Sequence, residues 1–139
     1  MATRIILHPQ VFQNEVNVTG ALSLSGVSLS ETLSNKAPLS KSVKAISSLT
    51  YTLSASDSGT IISYNNGSNS TVTIPSNVLS VGSEIEFIQL GAGKLVFSAA
   101  VGVTLYGLGG ANKTSAQYAA ATLRQLSTNV WILAGNISV

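Results

Sequence analysis

The chain reads as an all-β protein, a compact antiparallel sandwich or jelly-roll-like barrel with an extended N-terminal arm. Three observations predict this. Apolar and polar residues alternate in short runs such as 70–74 and 84–87, which turns one face of a strand inward and the other to solvent. Each run is bounded by Gly, Asn, Ser or Pro, the residues that tolerate turn geometry. Hydrophobic residues make up 45% of 139 residues, enough to fill one core with chain left over for an arm.

Residues 1–48 are assigned to the arm and 49–139 to the β-domain. From Val16 the apolar or small positions step by two through Val18, Gly20, Leu22, Leu24 and Gly26. The phase slips at Gly26, since Val27 and Leu29 continue it one residue early, and a glycine at a slip predicts a bulge or bend. Ser28 with Glu31 fits a capping box, and Leu29 and Leu33 lie one turn apart. One short helix is expected there, ended by Asn35 and Pro38. Residues 38–50, rich in Ser and Lys around isolated Val43, Ile46 and Leu49, read as a connector. A ribbon this narrow cannot bury its own apolar face. Val16, Val18, Leu22, Leu24, Val27, Leu29 and Leu33 are therefore the candidate contacts to sister chains or to an anchoring surface.

In the β-domain, residues 50–53 form a strand, and 54–59 a turn in which the Asp57 carboxylate holds its own backbone. A strand at 60–64 is followed by a hairpin turn at Asn65-Asn66-Gly67-Ser68. Val72 and Ile74 face inward on the next strand, which Pro75 ends. Ile85 and Phe87 oppose Glu84 and Glu86 on the one after. Gly91-Ala92-Gly93 turns into a strand at 94–98, a further strand occupies 101–106, and 107–112 is a loop. Residues 115–126 are ambiguous: Ala119, Leu123 and Leu126 sit at helical spacing, yet the same stretch alternates as a strand. Residues 130–133 make a final buried strand. The candidate core is Val72, Ile74, Ile85, Phe87, Leu123, Trp131 and Leu133.

Charged residues are only 9% of the chain, against roughly a quarter in an average domain. Such a surface is covered by Ser, Thr, Asn and Gly or buried against other chains, so a homo-oligomer is expected. The net charge of +2 is scattered, with Lys36, Lys41 and Lys44 the one loose basic group. Nucleic-acid binders carry a basic stripe with interleaved aromatics; the plain reading of these lysines is a solvated linker. No cysteine is present, which excludes disulfides, thiolate-bound zinc and thiol catalysis. The apolar run Ile5-Ile6-Leu7 before His8 and Pro9 is short of the roughly 7–15 residues of a secretory core. No run reaches the ~18 needed to cross a membrane, so synthesis in a cytoplasm without export is expected.

Candidate chemistry is sparse. His8 is the sole histidine, and a Ser-His-Asp arrangement would need it to reach Asp57 from the arm. Glu84 and Glu86 lie on one face of one strand, roughly 7 Å apart; the plain reading is a solvated edge or a subunit contact, not a glycosidase pair. A calcium site at the pair would need completion by backbone carbonyls. Gly91-Ala92-Gly93 and Gly107-Leu108-Gly109-Gly110 lack a phosphate-cradling pattern and read as turns. Asn17-Val18-Thr19, Asn69-Ser70-Thr71 and Asn112-Lys113-Thr114 fit the glycosylation sequon by chance in a Ser/Thr-rich chain. Tyr106 and Trp131 are candidates for stacking on sugar rings, although Trp131 between Val130 and Ile132 reads as core. No enzymatic activity, cofactor or metal is expected.

One further pattern runs through the chain. Tyr51-Thr52-Leu53, Asp57-Ser58-Gly59-Thr60-Ile61-Ile62, Val72-Thr73-Ile74-Pro75, the block from Gly82 to Leu105, Gln117 to Leu123 and Trp131 to Gly135 occur in an order that resembles a small β-domain of tailed-bacteriophage structural proteins. Residues 18–33 also resemble the repeat-like stretches of trimeric phage fibres. The resemblance implies a strand at 115–126 and a virion component: a short fibre, or a decoration protein of capsid, neck or tail, anchored by the arm as a homotrimer among other virion proteins. From the scattered basic residues and the short apolar runs, no nucleic-acid or membrane partner is expected. The alternative the resemblance leaves is a carbohydrate-binding fibre tip or adhesin whose partner is a host-surface glycan.

Overall fold

The computed structural model describes residues 23–24, 27–28 and 40–139. In the N-terminal unit, β1 (Ser23–Leu24) and β2 (Val27–Ser28) pair antiparallel, with Leu24 opposite Val27. Gly26, where a bulge or bend is expected, lies outside the described residues. The expected helix and the contact candidates Val16, Val18, Leu22, Leu29 and Leu33 lie outside the described residues.

The second unit, Ser40–Val139, is all β. Its first six strands are β3 (Val43–Ile46), β4 (Thr50–Thr52), β5 (Ile61–Tyr64), β6 (Ser70–Ile74), β7 (Glu84–Gln89) and β8 (Leu95–Ala99). They alternate strictly between two sheets. β3, β5 and β7 run parallel side by side in one, and β4, β6 and β8 do so in the other. Each pair of strands is therefore one coil laid on the coil before it. This solenoid-like winding replaces the expected antiparallel sandwich or jelly-roll.

The winding ends in β9 (Thr104–Gly107), β10 (Lys113–Thr114), β11 (Ala120–Ser127), β12 (Val130–Gly135) and β13 (Ile137–Ser138), which complete the unit. These strands pair antiparallel, β9 excepted. β11 pairs with β7 and with β12, and β9 lies parallel to β12 at the edge. The sheets have the orders β3-β5-β7-β11-β12-β9 and β13-β10-β8-β6-β4.

Two sequence expectations change. Asn65-Asn66-Gly67-Ser68 is not a hairpin turn, because β5 and β6 belong to different sheets; it is a corner between them. The expected connector at 38–50 contains β3, an edge strand of the six-stranded sheet, and the compact unit begins at Ser40. The ambiguous stretch is strand from Ala120 onward.

Alternation places the core. Val72, Ile74, Ile85, Phe87, Leu123, Trp131 and Leu133 are all buried between the sheets, with Leu53, Ile62, Tyr64, Leu95 and Phe97. Phe87 and Phe97, from opposite sheets, meet edge to face with ring centroids 5.0 Å apart, the geometry the ring quadrupoles favour. Among the described residues the buried side-chain polar groups have hydrogen-bond partners, the Trp131 indole Nε1 excepted. Thr114 Oγ1 donates to Gln89 Oε1 and accepts from Leu95 N at 2.8 Å.

Candidate functional site

The corners of the coils carry the polar chemistry. Between β4 and β5 the chain makes a 3-10 turn at Ala55–Asp57, and Asp57 closes a capping box with Ser54. Its Oδ2 accepts from Ser54 N at 2.8 Å, so the carboxylate does hold its own backbone as the sequence predicts. Two partners arrive from neighbouring strands. The Tyr51 hydroxyl donates to Asp57 Oδ2 at 2.8 Å, and Lys44 Nζ donates to Oδ1 at 2.8 Å. Burial pushes the Asp57 carboxyl up, but the bonds from Lys44, the Ser54 backbone and Tyr51 together hold it below its ordinary value. The Lys44 ammonium is held above its ordinary value, first by Asp57 and then by Tyr51. A carboxylate this fully engaged is a weak base, and a lysine this protonated is a weak nucleophile. The cluster is a fastening between edge strand, second strand and corner.

Glu84 and Glu86 project from the outer face of β7. Lys41 Nζ donates to both, at 2.8 Å to Glu84 and 2.5 Å to Glu86, and Arg124 Nε lies 2.6 Å from the second oxygen of Glu84. The bond from Lys41 lowers the Glu84 pKa. The pair thus faces two cations, not a cleft. Among the described residues no three His, Cys, Asp or Glu side chains group as metal ligands. His8 and Lys36 lie outside the described residues. Sequence reasoning named Asp57 in its turn, Glu84 with Glu86 as a pair, and Lys41 with Lys44 in one loose basic group; that the lysines meet these carboxylates across the coils is announced by no spacing.

A third feature is apolar. Outward residues of β9, β11 and β12 leave Tyr106, Leu126 and Ile132 exposed, and Leu108 beside β9 is 89% exposed. Tyr106, Leu108, Ile132, Ala134 and Ile137 line a cleft of about 500 Å³. Trp131, one residue from Ile132, is 1% exposed and does not contribute. Of the two aromatics considered for sugar stacking, only Tyr106 reaches the surface. Leu108 and Leu126 escape sequence reasoning, because an exposed leucine and a buried one look alike until the strand face is known.

Gly91-Ala92-Gly93 forms the corner between β7 and β8 and packs directly on the corner before it. A Cβ at Gly91 would lie 2.1 Å from Asn66 O, and one at Gly93 would lie 2.0 Å from Ser68 O. Gly93 N donates to Asn66 O at 3.0 Å. These glycines serve coil stacking, where only a residue without a side chain fits.

No protein-family model matches the chain, and neither does any curated protein.

Proposed function

We propose that the chain is a non-enzymatic structural protein of a tailed-phage virion. In this reading it is a short fibre or a capsid, neck or tail decoration protein, homotrimeric, anchored through residues 1–48 and displaying its β-domain. The observation that carries the reading is the pairing of scarce charge with exposed apolar surface. Only 9% of residues are charged, yet Val43, Val81, Val101, Tyr106, Leu108 and Leu126 all stand more than half exposed. A surface of this kind is stabilised by burial in an assembly. The ordered motifs that resemble phage structural domains support the same reading. So do the Asp57 and Glu84 clusters, whose groups are engaged in holding strands together.

Sedimentation of the full chain at micromolar concentration tests the assembly, with about three times the chain mass expected for a closed trimer. A cryo-EM map of the virion tests the location. A stable monomer, or particles without the chain, overturns the reading.

A carbohydrate-binding fibre tip is the second reading, favoured by Tyr106 standing 59% exposed at the mouth of the apolar cleft. A glycan array separates the two: binding that Tyr106→Ala abolishes supports the tip, and an array without signal supports the scaffold.

A further inference from the structure

Asn66 sits in the middle tier of a stack of corners. Its Nδ2 donates to Ser47 O at 2.7 Å on the coil before, and its carbonyl accepts from Gly93 N at 3.0 Å on the coil after. Its Oδ1 accepts from Ser68 N at 2.9 Å. The residue between, Gly67, is exposed. Among the described residues its N–H has no acceptor, and a Cβ placed on it would meet nothing within 4 Å. A side-chain amide is thus followed by the unengaged main-chain nitrogen of an exposed residue that carries no side chain.

We propose that Asn66 is a site of deamidation through a cyclic imide. Solvent base removes the Gly67 N–H proton, and the nitrogen attacks Asn66 Cγ. The new C–N bond closes a five-membered ring as the Cγ–Nδ2 bond breaks, and ammonia departs after taking a proton from water. One water then opens the imide at either carbonyl, giving aspartate or isoaspartate at position 66. The net change is the addition of water and the loss of ammonia. The Ser68 N–H, already on Oδ1, stabilises the negative charge that develops on that oxygen during attack.

The structural consequence follows from the partners of Asn66. A carboxylate oxygen in place of Nδ2 faces the Ser47 carbonyl, acceptor against acceptor, and the bond from the second coil to the first is lost. The isoaspartate route also inserts a methylene into the main chain where Gly91 and Gly93 leave no room for a Cβ. Conversion therefore loosens the first coil, β3 and β4, from the rest. Two amides report this: Asn65 N donates to Ile46 O at 3.1 Å, and Thr71 N donates to Leu49 O at 2.8 Å.

The test incubates the full chain at mildly alkaline pH and follows each asparagine by peptide mapping with isoaspartate detection. Residue 66 is expected to convert well ahead of Asn77 and Asn129, each of which precedes a valine. Gly67→Ala, which the open corner accommodates, is expected to suppress the conversion with no change in melting temperature. In the converted chain the Asn65 and Thr71 amides are expected to exchange about ten-fold faster, as local opening of the first coil requires. The proposal is overturned if residue 66 converts no faster than Asn77, or far more slowly in the folded chain than in urea. Unchanged exchange at both amides after conversion overturns the loosening.

Discussion

Lys44 and Asp57, thirteen residues apart in the chain, meet at 2.8 Å across the end of the first coil. The Asp57 side chain is 1% exposed and that of Lys44 43%, so the anion is the buried partner. A carboxyl held below its unfolded value of about 3.9 contributes stability above that pH, and the contribution disappears as pH falls through the folded pKa. The melting temperature is therefore expected to stay level from neutral pH to about pH 5 and to fall below about pH 4. Asp57→Asn should lower the plateau and flatten the acid limb. Thermal melts across this range check it, and an acid limb identical in the variant contradicts the assignment.

Removing either partner separates the ion pair from the corner's hydrogen bonds. Asp57→Ala leaves the Ser54 N–H and the Tyr51 hydroxyl without their acceptor, and a cost of roughly 2–4 kcal/mol is expected. Lys44→Met should cost under about 1 kcal/mol, because water already screens the half-exposed ammonium and the Asp57 carboxylate keeps its bonds from Ser54 N and the Tyr51 hydroxyl. Urea unfolding of the two variants measures the difference. The reverse order would mean that the ion pair, not the corner, holds the strands.

Gly91→Ala and Gly93→Ala each drive a Cβ into the backbone of the Asn66–Ser68 corner. Backbone cannot rotate aside as a side chain can, so a loss of at least about 3 kcal/mol or failure to fold is expected from overpacking. Gly67→Ala, one corner away with open space around it, serves as the matched control and should melt as the parent does. Circular dichroism melts of the three variants decide the point.

The buried set was legible because alternation is local: Val72 and Ile74 sit two apart, and so do Ile85 and Phe87. The winding was not. Asn65-Asn66-Gly67-Ser68 announces a change of direction, but turn residues do not say whether the chain returns within one sheet or crosses to the other. That choice is fixed by contacts such as Tyr64 with Gln89 and Thr73 with Ser98, which are far apart in sequence. β3 was missed because an edge strand buries little; Val43, Lys44 and Ala45 are all exposed and Ile46 only partly buried, so no alternating signal survives. The site was legible in the same measure. Asp57 bonding its own turn is a local pattern, whereas Lys44 and Tyr51 reach it through the coil.

Trp131 and Ile132 are adjacent on β12 and face opposite ways, 1% and 37% exposed. Trp131 fills the space between the sheets, so Trp131→Ala is expected to cost about 3–5 kcal/mol through lost contacts and a residual cavity. Its indole Nε1 is buried without a hydrogen-bond partner among the described residues. Trp131→Phe therefore loses volume but no hydrogen bond, and should cost clearly less than the alanine variant. Ile132→Ala, on the outer face, should stay within about 0.5 kcal/mol. Because a one-residue slip in register would exchange the two faces, this set of variants tests the pairing of β12 with β11 and β9 as well as the packing. Urea unfolding followed by circular dichroism gives the ranking, and equal costs for Trp131→Ala and Ile132→Ala would refute the register.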